Sequence, residues 1–347
     1  MIEQTENSWK KNTVLFLISQ CITLIALATF LLFLVMPVIS SDILLLSGLL
    51  GISVVRSIGA GVQTPAVNAV IPCLVPEEYL MKYNGINATL QSVIQFASPA
   101  VAGFVLTAGT FRSTLLIDIL TALFGIGLLF FLPLPVKSVT NETVSVLEDL
   151  KAGICYSFSD KKIGKILIVY GLFIFLCVPA GFMSALLVSR AYGDTYWYLT
   201  ATELIGFAGM TLGGIWIGIW GGFPSRAKTL IVGLSALSIM TVGMGVSPYF
   251  VLYLVMMFLY SIALTMVQTS TTTMIQENAD SSMQGRVFGL MGAMYSGFLP
   301  VGMAVFGPLA DIFPLQWIMV GTGIALAAVA IYLTMGRALF REKSNCQ

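Results

Sequence analysis

The sequence predicts an all-α protein, a polytopic membrane bundle of about ten spanning helices. Three observations carry that expectation. Of 347 residues, 57% are hydrophobic and only 10% charged, against roughly 25% charged in soluble domains. The mean hydropathy is +0.94. Apolar stretches of about 20 residues recur from Thr13 to Met335, each long enough as a helix to cross a hydrocarbon core of roughly 30 Å. A transmembrane barrel is instead written in shorter, alternating segments.

The stretches cover approximately 13–36, 43–64, 85–108, 114–132, 166–189, 197–220, 229–247, 250–273, 287–310 and 315–335. The first follows a polar, charged lead, which predicts direct insertion rather than a cleaved signal peptide. The longest polar interruption, 133–165, opens with Pro133 and Pro135, carries five lysines and reads as a cytoplasmic linker. Inside it VSVLEDLKAGICYSF has apolar residues at helical spacing, which predicts a short surface helix along the inner membrane face. The predicted domains are therefore a four-helix bundle at 1–132, the linker at 133–165 and a six-helix bundle at 166–347. Lys and Arg set the orientation, because short loops rich in them stay inside. With both termini inside, only Arg112 and Arg190 fall in outer loops and Arg56 inside a helix; the rest of the 17 basic residues lie on the cytoplasmic side.

Composition also narrows the chemistry. There is no histidine, and Cys21, Cys73, Cys155, Cys177 and Cys346 show no CxxC spacing, so imidazole-based metal sites and Ser-His or Cys-His catalysis are excluded. No GxxxxGK[ST] loop points to ATP. No cofactor, no metal, no nucleic-acid partner and no enzymatic activity are expected, and proton chemistry must use carboxylates.

The chain repeats itself. Val62-Gln63-Thr64 returns as Val267-Gln268-Thr269, 205 positions later, and Pro99 as Pro300, 201 positions later. Each copy is a helix, an acidic inner loop (PEEYLMK and ENADSSMQGR) and a second helix broken by proline. Such duplication marks transporters of several folds. The offset also maps 229–247 onto 13–36 and leaves 166–220 without a counterpart, as in a six-plus-six design that begins at its third helix. A shortened first bundle keeps a second reading open: a remnant that does not transport and acts as a binding partner in the membrane, as a monomer or a homodimer.

Arg56-Ser-Ile-Gly59-Ala-Gly61-Val-Gln63-Thr-Pro65 resembles the fourth-helix motif of the major facilitator transporters, and Ser98-Pro99-Ala-Val-Ala-Gly103 is similar to their fifth-helix antiporter motif. TPAVNAVIPCLVPEEYL, INATLQSVIQFASPAVAG and QGRVFGLMGAMYSGFLPVG resemble, more narrowly, the bacterial macrolide-efflux and siderophore-exporter-like members. The resemblance implies a secondary active, proton-coupled exporter of small amphipathic substrates such as macrolides, working by alternating access in the bacterial cytoplasmic membrane. It casts Gly59, Gly61, Pro65, Pro99, Gly103 and Arg226 as residues of conformational motifs. The family's Gly-x-x-x-Asp-Arg-x-x-Arg-Lys loop is reduced here to Trp9-Lys10-Lys11. Its second copy, Gly213-Gly214 through Gly221-Gly222-Phe-Pro-Ser-Arg226-Ala-Lys228, lacks the acid, which leaves the domain-locking charge network in doubt in both halves.

Individual polar residues stand out against the apolar spans. Arg56 lies deep in its helix with Gly59, Ala60 and Gln63 on the same face, a setting for a charge in a central cavity or for an arginine snorkelling to the interface. Glu203, inside its span, is a carboxylate placed to carry the coupled proton, or an interfacial acid favoured by its helix N-terminus. Asp118 reads either as a first-turn helix acid or as a third coupling group. Gln63 and Gln268 are candidate paired cavity amides, and Phe96 and Phe298 candidate walls of an apolar substrate cavity. The glycines at 209, 213, 214 and 218 form overlapping GxxxG spacings that predict close helix approach.

Overall fold

The structure, a computed structural model, describes residues 42–108, 111–130, 146–193 and 195–335. Among them every regular element is helical: α1 Asp42–Leu74, a 3-10 turn Glu77–Tyr79, α2 Leu80–Ala108, α3 Phe111–Phe130, α4 Val146–Ser159, α5 Lys161–Gly181, α6 Ser184–Ala191, α7 Tyr196–Trp220, α8 Arg226–Val246, α9 Phe250–Asn278, α10 Gln284–Ile312 and α11 Leu315–Met335. Seven spans among the described residues are long and apolar enough to cross a membrane. The expected span at 13–36 and the linker up to 145 lie outside the described residues.

Prolines behave differently from the expectation. Pro99 and Pro300 stand inside continuous helices of 29 residues each, and α1 carries Pro65 and Pro72 along its 33 residues. Proline removes one backbone donor, but spanning helices tolerate that loss where neighbouring groups satisfy the freed carbonyl. A break does occur between α5 and α6, directly after Pro179 and Gly181, where Phe182 and Met183 both turn their N–H onto Val178 O. The predicted surface helix is present as α4.

The chain divides into two compact units. One is drawn from Met1–Pro76, Ala97–Gly153 and Asp280–Gly292, the other from Glu77–Phe96, Ile154–Ala279 and Ala293–Gln347. In the first unit Gly153 of α4 lies against the Arg286 side chain; a Cβ there would meet Arg286 Cβ at 3.0 Å. In the second, α8 packs against α9 and α11, α9 against α7, and α5 against α9 and α11. With little hydrophobic drive between helices in lipid, small residues and interhelical hydrogen bonds must do the joining. Ser238 Oγ of α8 donates to Gly323 O of α11 at 2.8 Å, and a Cβ at Gly323 or Gly245 would strike the facing helix at 2.7 Å. Tyr253 and Tyr260 of α9 are almost without exposure in this unit. At one end, Tyr192 Oη donates to Ser247 O at 2.7 Å, and its ring packs at a tilt against Phe250 and Tyr253. Amphipathic rings of this kind favour the membrane interface.

Candidate functional site

Helix α7 carries its small residues on two faces. Gly209 and Gly213 turn to α9, where a Cβ would meet Phe258 O at 2.5 Å and Ile262 Cα at 3.0 Å respectively. Gly214 and Gly218 turn instead to α2. There Gly85 is so close that a Cβ would come within 2.5 Å of Gly218 N and 3.0 Å of Gly214 O. The overlapping GxxxG spacings thus serve two different partners, a distinction that spacing alone does not carry.

This contact of α2 with α7 is tight at one end only. Where it is tight, Asn84 of α2, buried to 5% exposure, donates both amide hydrogens across to α9: to Thr273 Oγ1 at 2.8 Å and to Gln276 Oε1 at 2.6 Å. Below it Gly221 and Gly222 end α7 with φ of +80° and +76°, a left-handed pair that glycine adopts without steric cost. Lys82 lies over Gly221, where a Cβ would meet its Cε at 2.9 Å. This end also holds Lys162, Arg226 and Lys228, and is called the basic end below.

Further along, the same two helices diverge around an apolar cavity of about 460 Å³ lined by Val93, Phe96, Leu204, Phe207, Ala208, Thr211 and Leu212. Phe96 and Phe207 face each other with ring centroids 5.7 Å apart. Glu203 precedes this wall on α7, one helical turn before Phe207, with its side chain exposed.

Arg226 finds its partner outside its own loop. Its own loop lacks an acid, yet Nε donates to Glu277 Oε1 of α9 at 2.9 Å and Nη1 donates to Gly221 O at 3.0 Å. Both partners of the ion pair are only 16% exposed. The acid comes from a helix distant in sequence, so the arginine of the second-half loop is paired within its own unit.

The other expected residues are distributed between the units. Arg56 stands in mid-α1 with an exposed side chain, Gly59 is buried beside it and Gln63 is half-buried, all in the first unit. Gln268 is exposed in the second. Phe298 rests on a notch at Gly171 of α5, where a Cβ would meet its ring at 3.1 Å. Pro65 is half-buried and Pro99 exposed. A Cβ at Gly61 or Gly103 would meet nothing within 4 Å among the described residues. Asp118 falls in α3, its side chain outside the described residues. Sequence reasoning missed Asn84, Gly85, Thr273, Gln276 and Glu277. A signal was present: TSTTTMIQEN places small polar residues three and four apart on an otherwise apolar helix, and such a stripe needs a polar partner.

Comparison with known proteins identifies the architecture. The model of the Major Facilitator Superfamily matches residues 13–303. The chain belongs to that superfamily. Among curated relatives, macrolide efflux protein A of Streptococcus pyogenes is 26% identical over 285 residues, 81% of this chain and 70% of that protein. The protein of the same name from Enterococcus faecalis is 27% identical over 253 residues, 72% of this chain and 78% of its own. The E. coli fucose:proton symporter shares the fold with a TM-score of 0.71 at 15% identity, covering 94% of this chain and 84% of that one. The human organic anion transporter MFSD10 does so with 0.72 at 14% identity, covering 91% and 76%. This major facilitator protein is thus a multi-pass integral membrane transporter rather than an enzyme, with macrolide-efflux proteins among its relatives.

Proposed function

We propose that the chain exports amphipathic drugs such as macrolides across the bacterial cytoplasmic membrane in exchange for protons, by alternating access, with both termini cytoplasmic. The observation that carries this reading is the similarity to macrolide efflux proteins over most of the chain. The apolar cavity edged by Phe96 and Phe207 supports it, because a bulky, weakly polar molecule binds by burying surface against such walls.

In this reading the bundles are 1–132 and 166–347, joined by the linker 133–165, and the basic end is cytoplasmic by the positive-inside rule. The tight contact at Gly85, Gly214 and Gly218 then closes the cytoplasmic side, and the cavity lies nearer the outside. Glu203 is the carboxylate that carries the proton. Arg56, Gln63 and Gln268 set the polarity of the central pathway, Phe298 adds an aromatic wall, and Asp118 is a further acid of the first bundle. Gly59, Gly61, Pro65, Pro99 and Gly103 give α1 and α2 their conformational freedom.

The test is accumulation of a labelled macrolide, erythromycin, in macrolide-sensitive bacteria with and without the protein. Expression lowers steady-state accumulation, a protonophore restores it, and Glu203→Gln abolishes gradient-driven export while leaving macrolide binding to the purified protein measurable. Unchanged accumulation on expression would overturn the substrate, and full export by Glu203→Gln would remove this carboxylate from the coupling.

A further inference from the structure

Most buried hydroxyls of the second unit bond back to their own helix: Thr241 to Leu237 O, Thr265 to Ser261 O, Ser270 to Met266 O. Asn84 does not. It crosses from α2 to α9 with two side-chain bonds that join positions 189 and 192 residues apart. All three partners are buried, at 5%, 0% and 4% exposure. Thr273 is held for this contact, because its hydroxyl donates to Thr269 O at 2.8 Å and so turns its oxygen lone pairs toward Asn84. Directly beside it, Gly85 brings the α2 backbone against α7 with no room for a side chain.

We propose that Asn84, Thr273 and Gln276 form the lock that holds the basic end of the transporter closed, and that the transport cycle opens it by parting α2 from α9. The physical case is an asymmetry between states. Closed, the carboxamide and its acceptors satisfy one another away from water. Open, the same groups face water and lose little, because water replaces each bond. Removing one partner therefore penalises the closed state alone, where the remaining groups stay buried and unmatched. A purely structural contact would lower stability in every state alike. Two hydrogen bonds of ordinary net strength shift the ratio of closed to open by on the order of tenfold. Opening exposes the α9 face one turn above Thr273, where Thr269 is 4% exposed in the closed seam.

The proposal rests on the alternating-access reading only for its place in the cycle, and its test needs no substrate. A reporter Thr269→Cys is placed in the full-length protein in lipid nanodiscs. Its modification by a membrane-impermeant maleimide is timed by peptide mass, so that the native cysteines do not interfere. The parent labels slowly. Asn84→Leu, which keeps the volume but removes the donors, labels at least tenfold faster. Thr273→Val, nearly isosteric and without the acceptor, gives the same direction with a smaller gain, and carries the test alone if Asn84→Leu fails to fold. A variant that remains monodisperse and labels at the parent rate overturns the lock, including the case in which its melting midpoint falls, which would make the cluster plain packing. Absence of macrolide export by the parent protein, with faster labelling of the variants retained, would overturn the proposed substrate and leave the lock standing.

Discussion

Helices α2 and α7 run side by side yet differ sharply between their two ends. At the basic end glycine meets glycine and backbone touches backbone, with Gly85 against Gly214 and Gly218. Toward the other end Val93 and Phe96 stand away from Leu204 and Leu212 around a cavity of about 460 Å³. Side-chain size follows the change: glycines face each other at the tight end, whereas Val93, Phe96, Leu204, Phe207 and Leu212 supply the bulk around the cavity. One seam is therefore tight at one end and open around an apolar cavity at the other, the end proposed to take substrate.

The largest expected effect comes from forcing the closed end apart. Gly85→Leu puts a branched side chain where a single Cβ already meets backbone at 2.5 Å, and backbone cannot swing aside as a side chain can. Export should fall to background. The melting midpoint of the purified protein should drop by an amount matching overpacking of about 1–3 kcal/mol or more. Near-normal export by Gly85→Leu would show that the closed end is not used in transport.

Arg226→Ala comes next. It strips the partner from Glu277 and a donor from Gly221 O at the same time. Because both charged groups are mostly shielded from solvent, the loss should exceed that of a surface pair and reach about 1–3 kcal/mol in thermal unfolding. Arg226→Lys should recover only part of it, since an ammonium does not span both acceptors as a guanidinium fork does. Full stability in Arg226→Ala would leave the ion pair without a structural role.

At the open end the effect should be smaller and of a different kind. Phe207→Ala removes one face of the ring pair with Phe96, worth about 0.5–1.5 kcal/mol beyond buried area. It should raise the apparent KM for erythromycin several-fold with little change in melting. A fall in maximal rate at constant KM would contradict a substrate-binding role. The smallest change is expected at Gly61→Ala and Gly103→Ala, where an added methyl meets nothing within 4 Å among the described residues and relieves glycine's entropy cost in a helix by at most about 1 kcal/mol. Neutral or slightly raised stability there, beside the collapse expected at Gly85, would show that contact rather than residue type decides what a glycine does.

The membrane bundle was legible because spans of fixed length and hydropathy write it directly: α7 and α11 begin and end within a residue of their expected limits. Gln63 and Gln268 were legible as an internal echo, and Phe96 lines an apolar cavity. Hidden from the sequence was every relation across helices. Arg226 lacked an acid in its own loop, and nothing local announced that Glu277, 51 positions away, would supply it. Prolines 99 and 300 looked like breaks because local propensity penalises them, while a spanning helix tolerates the one lost backbone bond and continues. Asn84 passed unnoticed because one carboxamide at a helix start is ordinary until its partners on α9 are seen.

The central claim is that this major facilitator protein exchanges macrolide for protons. The most direct measurement uses proteoliposomes of purified protein carrying an imposed pH gradient, with erythromycin flux and the accompanying pH change recorded together. The account predicts erythromycin movement only against an opposing proton flow, in a fixed ratio, and loss of both in Glu203→Gln. Erythromycin flux that is indifferent to the gradient, or proton flow with no erythromycin moving against it, would contradict it.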